Sequence, residues 1–324
     1  PMSDSERTLV QAFDELASAV APVTQSEFIG AGGACGRVLA EDVVSTVDLP
    51  AFDNSAMDGY ALRFDDLRSG HWLHEIGRAY AGHPFDGEVR TGTCVRIMTG
   101  APLPAGADTV AVLEDVVAEA ATVRVQTVPP RGANIRRRGE HIHRGAVAIA
   151  AGRHLRDADI GLAAGVGVST LAVCRRLRVG ILSTGDELAD PPQALGPGGS
   201  YDANRPLLHA ALERSGFDVH DLGICRDTSQ AFASTLARAR QLGLDALVAS
   251  GGAAQGDADV VRAASGVRFV PLAVRPGRGL AFARIEGDGP ALALFGMPGN
   301  AVAAYVVFHL LVRPLLRANA SRER

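Results

Sequence analysis

Apolar residues recur at helical spacing near the start of the chain. Leu9, Phe13, Leu16 and Val20 share one face and predict an amphipathic helix over residues 7–20. From about residue 44 to 138 the period changes. Short Val- and Ile-rich runs, such as Cys94–Met98, Thr109–Leu113 and Thr122–Val128, alternate with Gly and Pro turns, as in a small β-domain. Residues 139–176 return to mixed character, with a strand expected at Val147–Ala150 and a short helix at Asp157–Gly165. After Arg175-Arg176, strands and helices alternate. Strands are expected at Arg178–Leu182, Phe217–Gly223, Ala246–Ser250 and Ala291–Phe295. Helices are expected at Pro206–Ser215, with Asn204 near its N-cap, at Gln230–Leu242, and from Asn300 to about Arg317. The pattern predicts a multidomain α/β chain. A β-domain (44–138) is inserted in a discontinuous mixed α/β domain (1–43 and 139–176), and a doubly wound, mostly parallel sheet domain follows (177–319).

Composition narrows the function classes. The chain has 324 residues, 47% of them hydrophobic, and a net charge of −4, which argues against a general nucleic-acid binder. Its basic residues are all arginine, so guanidinium must do the cationic work that an ammonium group often does. Cys35, Cys94, Cys174 and Cys225 are scattered and form no C-x-x-C pair, as expected of reduced thiols in a cytoplasmic protein. No signal-like apolar core opens the chain, and Ala301–Val312 is interrupted by His309 and too short for a bilayer, so no membrane association is expected.

In an open α/β sheet, ligands bind at the carboxyl ends of the strands. Three such ends carry unusual loops. They are Ser183-Thr184-Gly185-Asp186-Glu187, the Gly-rich stretch from Ser250-Gly251-Gly252 through Asp257 and Asp259, and Gly296-Met-Pro298-Gly299-Asn300. Glycines there let backbone N–H groups approach a ligand, and a helix N-terminus favours an anion. The loops lack the P-loop lysine and the G-x-G-x-x-G pattern, so neither an ordinary NTPase nor a dinucleotide enzyme fits. Glu187, Asp257 and Asp259 offer hard oxygen ligands of the kind Mg²⁺ uses beside phosphate; the alternative is that they cap helices or stay solvated. Arg275-Pro-Gly-Arg278 brings two guanidiniums together, either as a clamp for an oxyanion or as a solvated turn. Phe52-Asp-Asn-Ser-Ala-Met-Asp-Gly-Tyr60 sets two carboxylates among apolar side chains without helical or strand periodicity. It is either a self-capping Asx-rich turn or a cluster arranged for a ligand.

Six motifs together resemble the MoeA/gephyrin-E family of molybdopterin molybdenumtransferases. They are residues 52–61 (FDNSAMDGYA), 96–104 (RIMTGAPLP), 134–140 (NIRRRGE), 183–188 (STGDEL), 201–205 (YDANR) and 298–300 (PGN). The resemblance runs in order from about residue 7 to 317. It implies a sheet domain of molybdopterin-binding type, an elongated N-terminal domain and a homodimer whose cleft joins the sheet domain of one subunit to the small β-domain of the other. It further implies Mg²⁺-dependent use of adenylylated molybdopterin and molybdate, with release of AMP. Asp58, Thr99, Glu187, Asp227 and Asp259 then stand at catalytic positions, with Glu187 and Asp259 on the metal. Ser183, Thr184, Gly185, Asp186, Ser250, Gly251, Gly252, Arg275, Arg278, Pro298, Gly299 and Asn300 stand at substrate positions. A molybdopterin adenylyltransferase and molybdoenzyme recipients are the implied partners.

The chain departs from the family pattern in several places. Ala254 and Gln255 alter the glycine loop, and His141 replaces a carboxylate. Arg275 and Arg278 replace lysines, with Gly279 where the family has proline. Ala301 and Ala303 alter the segment after Asn300, and the sequence ends at Arg324, where relatives continue into a small β-barrel domain. Two expectations stay open: an active molybdenum insertase, or a non-catalytic carrier or scaffold that binds molybdopterin or the finished cofactor.

Overall fold

The computed structural model describes residues 6–18, 20–69, 71–251, 260–263, 266–287 and 290–320. The chain divides into two compact units, one made of 1–41, 151–156 and 170–324, the other of 42–150 and 157–169.

The smaller unit is built on a mixed six-stranded sheet. Its strands are β1 (Gly59–Leu62), β2 (Leu73–Ala79), β3 (Thr93–Ile97), β4 (Thr109–Val112), β5 (Val116–Glu119) and β6 (Thr122–Val125), in the order β4-β1-β3-β2-β6-β5. Only β2 and β3 pair in parallel. Strand alternation sends successive residues to opposite faces, and here both faces are apolar. Tyr60, Leu62, Cys94 and Ala111 pack in one cluster, and Ala61, Val95, Ile97 and Val110 in the other.

The larger unit contains the doubly wound sheet. Its strands are β7 (Arg178–Thr184), β8 (Asp218–Cys225), β9 (Ala246–Ser250), β10 (Arg268–Pro271), β11 (Gly279–Ile285) and β12 (Leu292–Met297), in the order β8-β7-β9-β12-β11-β10. The first four run parallel, whereas β11 and β10 complete the edge in antiparallel fashion. This antiparallel pair is an addition to the sequence expectation, which identified only the turn between its strands. Alternation again divides the core. Ala246, Val248, Ala293 and Phe295 face one side, and Leu247, Ala249, Leu292 and Leu294 face the other. Helices Leu9–Leu16 and Asn204–Arg214 cover the first side, and helix Ser229–Gln241 covers the second. The first of these begins at Thr8, which forms a capping box with Gln11, and is shorter than the 7–20 pattern suggested. Beside the sheet, Ser26–Gly30 pairs antiparallel with Thr170–Cys174.

The C-terminal helical segment extends past Ala301–Val312, over the range expected from Asn300 to about Arg317. It runs as Ala301–Val307, a π turn over Phe308–Val312, and Arg313–Ala320. Pro314 has no N–H for the Leu310 carbonyl and its ring crowds that group, which accounts for the widened turn just before it. By length and composition alone, Ala301–Ala318 is enough to cross a membrane. Its apolar residues have another destination, since Ala304, Val307, Phe308, Leu311, Leu315 and Leu316 are buried in the sheet's core. Phe308→Ala is expected to cost about 3–5 kcal/mol, the usual loss for emptying a filled aromatic site. Urea unfolding followed by far-UV circular dichroism would read this as a lower midpoint.

Candidate functional site

Strand register places five loops along one edge of the larger sheet. Ser183 aligns with Ser250, Ser250 with Met297, and Thr184 with Cys225. The loops after β7, β8, β9 and β12 therefore leave the sheet at one level, bringing together Thr184–Glu187, Arg226-Asp227, Ser250-Gly251 and Pro298–Asn300. Strand β11 runs the other way, with Ala281 opposite Gly296, so the Arg275–Arg278 turn enters it at this same edge. Glu187 and Asp227 both lie on these loops, near enough for the Glu187 charge to act on the Asp227 carboxyl. Gly252, Ala254, Gln255, Asp257 and Asp259 lie outside the described residues.

A buried carboxylate fixes the loops. Asp202 Oδ1 accepts the Ser183 hydroxyl at 2.9 Å and the Arg205 N–H at 3.1 Å, while Oδ2 accepts Arg205 Nε at 3.0 Å. The Arg205 guanidinium continues to Asp221 and Asp190. Asn204 Nδ2 donates to the Gly299 carbonyl at 2.6 Å, tying the start of its helix to the loop after β12. This replaces the expected capping role of Asn204; the N-cap is Ala203, which makes no side-chain bond. Asn300 does cap, its Oδ1 accepting the Ala303 N–H at 3.1 Å. Sequence reasoning assigned no role to Asp202 or Arg205, although their i, i+3 spacing at a helix start was visible.

Two glycines here have steric reasons. A Cβ on Gly251, at φ 86°, would lie 2.7 Å from the Thr184 carbonyl oxygen. At Gly185 the constraint is the backbone, whose φ of 154° side chains rarely adopt; the Glu187 carboxylate 2.6 Å from an added Cβ is the end of a side chain that can move aside. Ser250 is buried, and its hydroxyl has no hydrogen-bond partner among the described residues.

Electrostatically the edge is divided. Asp186, Glu187 and Asp227 gather negative charge. Burial pushes the Asp227 carboxyl above its ordinary range, and repulsion from Asp186 and Glu187 adds to this against an opposing hydrogen bond from the Asp186 backbone. Arg226 Nη1 donates to the Asp186 carbonyl at 2.7 Å. Among the described residues, no three His, Cys, Asp or Glu side chains converge as a metal cage. The donor chemistry suits a hard cation that takes its remaining oxygens from substrate phosphates and water. Arg275 and Arg278 supply the positive charge, and both pair with Glu6.

The smaller unit separates the two carboxylates of the Phe52–Tyr60 run. Asp53 is structural: its oxygens accept Arg137 Nη1 at 2.6 Å and the Arg138 N–H at 2.8 Å, beside the pairing of Asn54-Ser55 with Ile135-Arg136. Asp58 stands exposed, and its Oδ1 accepts both the backbone N–H and the hydroxyl of Thr99, each at 2.8 Å. Those two donors, the amide first, hold the Asp58 carboxyl below its ordinary range, with a smaller contribution from Arg96. The expected pair Asp58 and Thr99 is thus in direct contact. His141 is exposed and lies 3.7 Å from the Glu140 carboxylate.

These features define a multidomain α/β protein with a candidate site at the carboxyl edge of a doubly wound sheet. Comparisons with known proteins give the family. Residues 7–167 match the MoeA N-terminal region (domain I and II), and residues 180–318 match a probable molybdopterin binding domain. Molybdopterin molybdenumtransferase of Haemophilus influenzae is 38% identical over 95% of this chain and 76% of its own length. Molybdopterin molybdenumtransferase 2 of Mycobacterium tuberculosis is 36% identical over 91% and 74%. The solved structure of a molybdopterin biosynthesis MoeA protein from Pyrococcus horikoshii superposes with a TM-score of 0.83 at 27% identity, covering 99% of this chain and 80% of that one. The chain belongs to the MoeA family.

Two outcomes follow from this geometry. Thr99→Val removes one of the two donors to Asp58 and should move its carboxyl titration upward, toward the ordinary value, in a pH series of side-chain NMR shifts. Because the folded value is depressed, the wild-type contact contributes to stability at neutral pH and loses that contribution as pH falls through the folded value. Asp202→Asn should cost about 2 kcal/mol by weakening charge-assisted hydrogen bonds to Arg205, read as a lower urea midpoint.

Proposed function

We propose that this protein acts in molybdenum cofactor biosynthesis as a molybdopterin molybdenumtransferase, taking adenylylated molybdopterin and molybdate and releasing AMP. The observation that carries this reading is the sheet edge itself, where three acidic side chains stand with two arginines in a chain of the MoeA family. In this reading, Arg275 and Arg278 neutralise phosphate or oxyanion charge. Ser183, Thr184, Ser250 and Gly251 shape the floor on which the pterin phosphate lies. Pro298 and Gly299 form the neighbouring wall, and Asn300 fixes it by capping the following helix. Water attacks the phosphoanhydride, the bond to AMP breaks, and the chain acts by positioning and charge neutralisation rather than through a covalent intermediate.

Glu187 and Asp259 would hold Mg²⁺, which would supply Lewis-acid stabilisation of the phosphate charge. Asp227 stands near Asp186 and Glu187 and would favour a nearby cation. Asp58, kept ionised by Thr99, serves the site of a second copy in a homodimer.

Purified protein given adenylylated molybdopterin, Mg²⁺ and molybdate should release AMP. Glu187→Gln and Asp227→Asn should each lower that rate by roughly a hundredfold, the scale of losing one preorganised electrostatic group. Tight pterin binding without AMP would instead support the carrier or scaffold reading, and no binding of either pterin form would exclude both.

A further inference from the structure

We propose that Glu6 competes with an incoming oxyanion for Arg275 and Arg278, and so sets the affinity of their turn for its ligand. The inference rests on the reading of these two arginines as an anion clamp. Glu6 Oε1 lies 3.2 Å from Arg278 Nη2 and 3.5 Å from Arg275 Nη2, so one carboxylate bridges both guanidiniums.

Adjacent backbone bonds hold Glu6 at this turn. The Arg7 N–H donates to the Pro271 carbonyl at 2.9 Å, and the Ala273 N–H donates to the Arg7 carbonyl at 2.8 Å. The Leu272 N–H in turn donates to the Arg278 carbonyl at 2.7 Å. On the other side, the Thr8 capping box starts the first helix. Glu6 therefore precedes a segment stitched to Pro271 and Ala273, in the stretch that leads into the arginine turn.

The side chains are accessible, 39% exposed for Glu6 and 68–69% for the arginines, so water screens each pair and makes it displaceable. A tetrahedral dianion brings more charge and more acceptor oxygens than one carboxylate, and it can engage both guanidiniums. Phosphate groups and molybdate share this chemistry. Glu6 keeps two like charges together before the ligand arrives, and it must yield when the ligand binds. The sign of its effect is diagnostic. Removing a competitor tightens anion binding, whereas removing a structural brace loosens it.

Calorimetric titration of the full chain with inorganic phosphate and, separately, with molybdate tests this. Glu6→Gln should bind one or both anions roughly two- to fivefold more tightly at low ionic strength, the scale of an exposed ion pair, and the gain should shrink with added salt. Which anion tightens identifies the oxyanion the turn receives. If Glu6→Gln binds equally or more weakly while the double variant Arg275→Ala, Arg278→Ala loses binding, the competitor role is overturned and the clamp stands. If the double variant binds like the wild type, or neither anion binds the wild type and Glu6→Gln, the clamp is overturned and the proposal with it.

Discussion

Asp202 and Arg205 form the contact on which the ordered sheet edge depends. The Asp202 side chain is 1% exposed and the Arg205 side chain 11%, a degree of burial that ionised groups tolerate only when paired and hydrogen-bonded. Asp202 meets the condition by holding the last turn of β7 through Ser183 and the following helix through Arg205. Arg205 extends the contact to Asp190 in the loop after β7 and to Asp221 on β8. One charged pair thus fixes the base of the loops that bear Glu187 and Asp227, while Asn204 reaches the loop of Pro298–Asn300 from the same helix.

The smaller unit follows the same logic with different partners. Asp53 is used structurally by Arg137 and Arg138, leaving Asp58 as the carboxylate of that run that faces outward. Its two donors come from one residue, Thr99, so its charge is set locally and needs no distant partner. Local fixation of this kind suits a group presented to a ligand: it holds a defined oxygen position while remaining accessible. At the sheet edge burial raises the proton affinity of Asp227, and the opposing charges of Asp186 and Glu187 add to it.

The alternating α/β pattern was legible because buried parallel strands read as continuous apolar runs, and β9 and β12 are such runs. Strands β10 and β11 were not read because Arg268 and Arg284 interrupt their patterns and the Arg275–Arg278 turn drew attention as chemistry rather than as a connection. Asp58 and Thr99 lie 41 positions apart, and only the resemblance put them together before the fold brought β1 and β3 side by side. Asp202 and Arg205 belong to the motif at 201–205, yet nothing in the sequence marks their job. Burial decides whether a carboxylate near a helix start is a structural hub or a solvated cap, and sequence does not report burial of a polar residue. Glu6 was missed for a related reason, since its partners are more than 260 positions away.

Under the proposed function, the Asp58 surface of one copy of the chain and the carboxyl edge of the sheet in a second copy are halves of one site. Mixed dimers of Asp58→Asn and Glu187→Gln chains test it most directly. If each copy serves its partner, every heterodimer contains one doubly mutated and one intact site, and random assembly should restore roughly a quarter of wild-type AMP release from two inactive parents. Activity no higher than that of either parent, in preparations shown to contain heterodimers, would contradict the account.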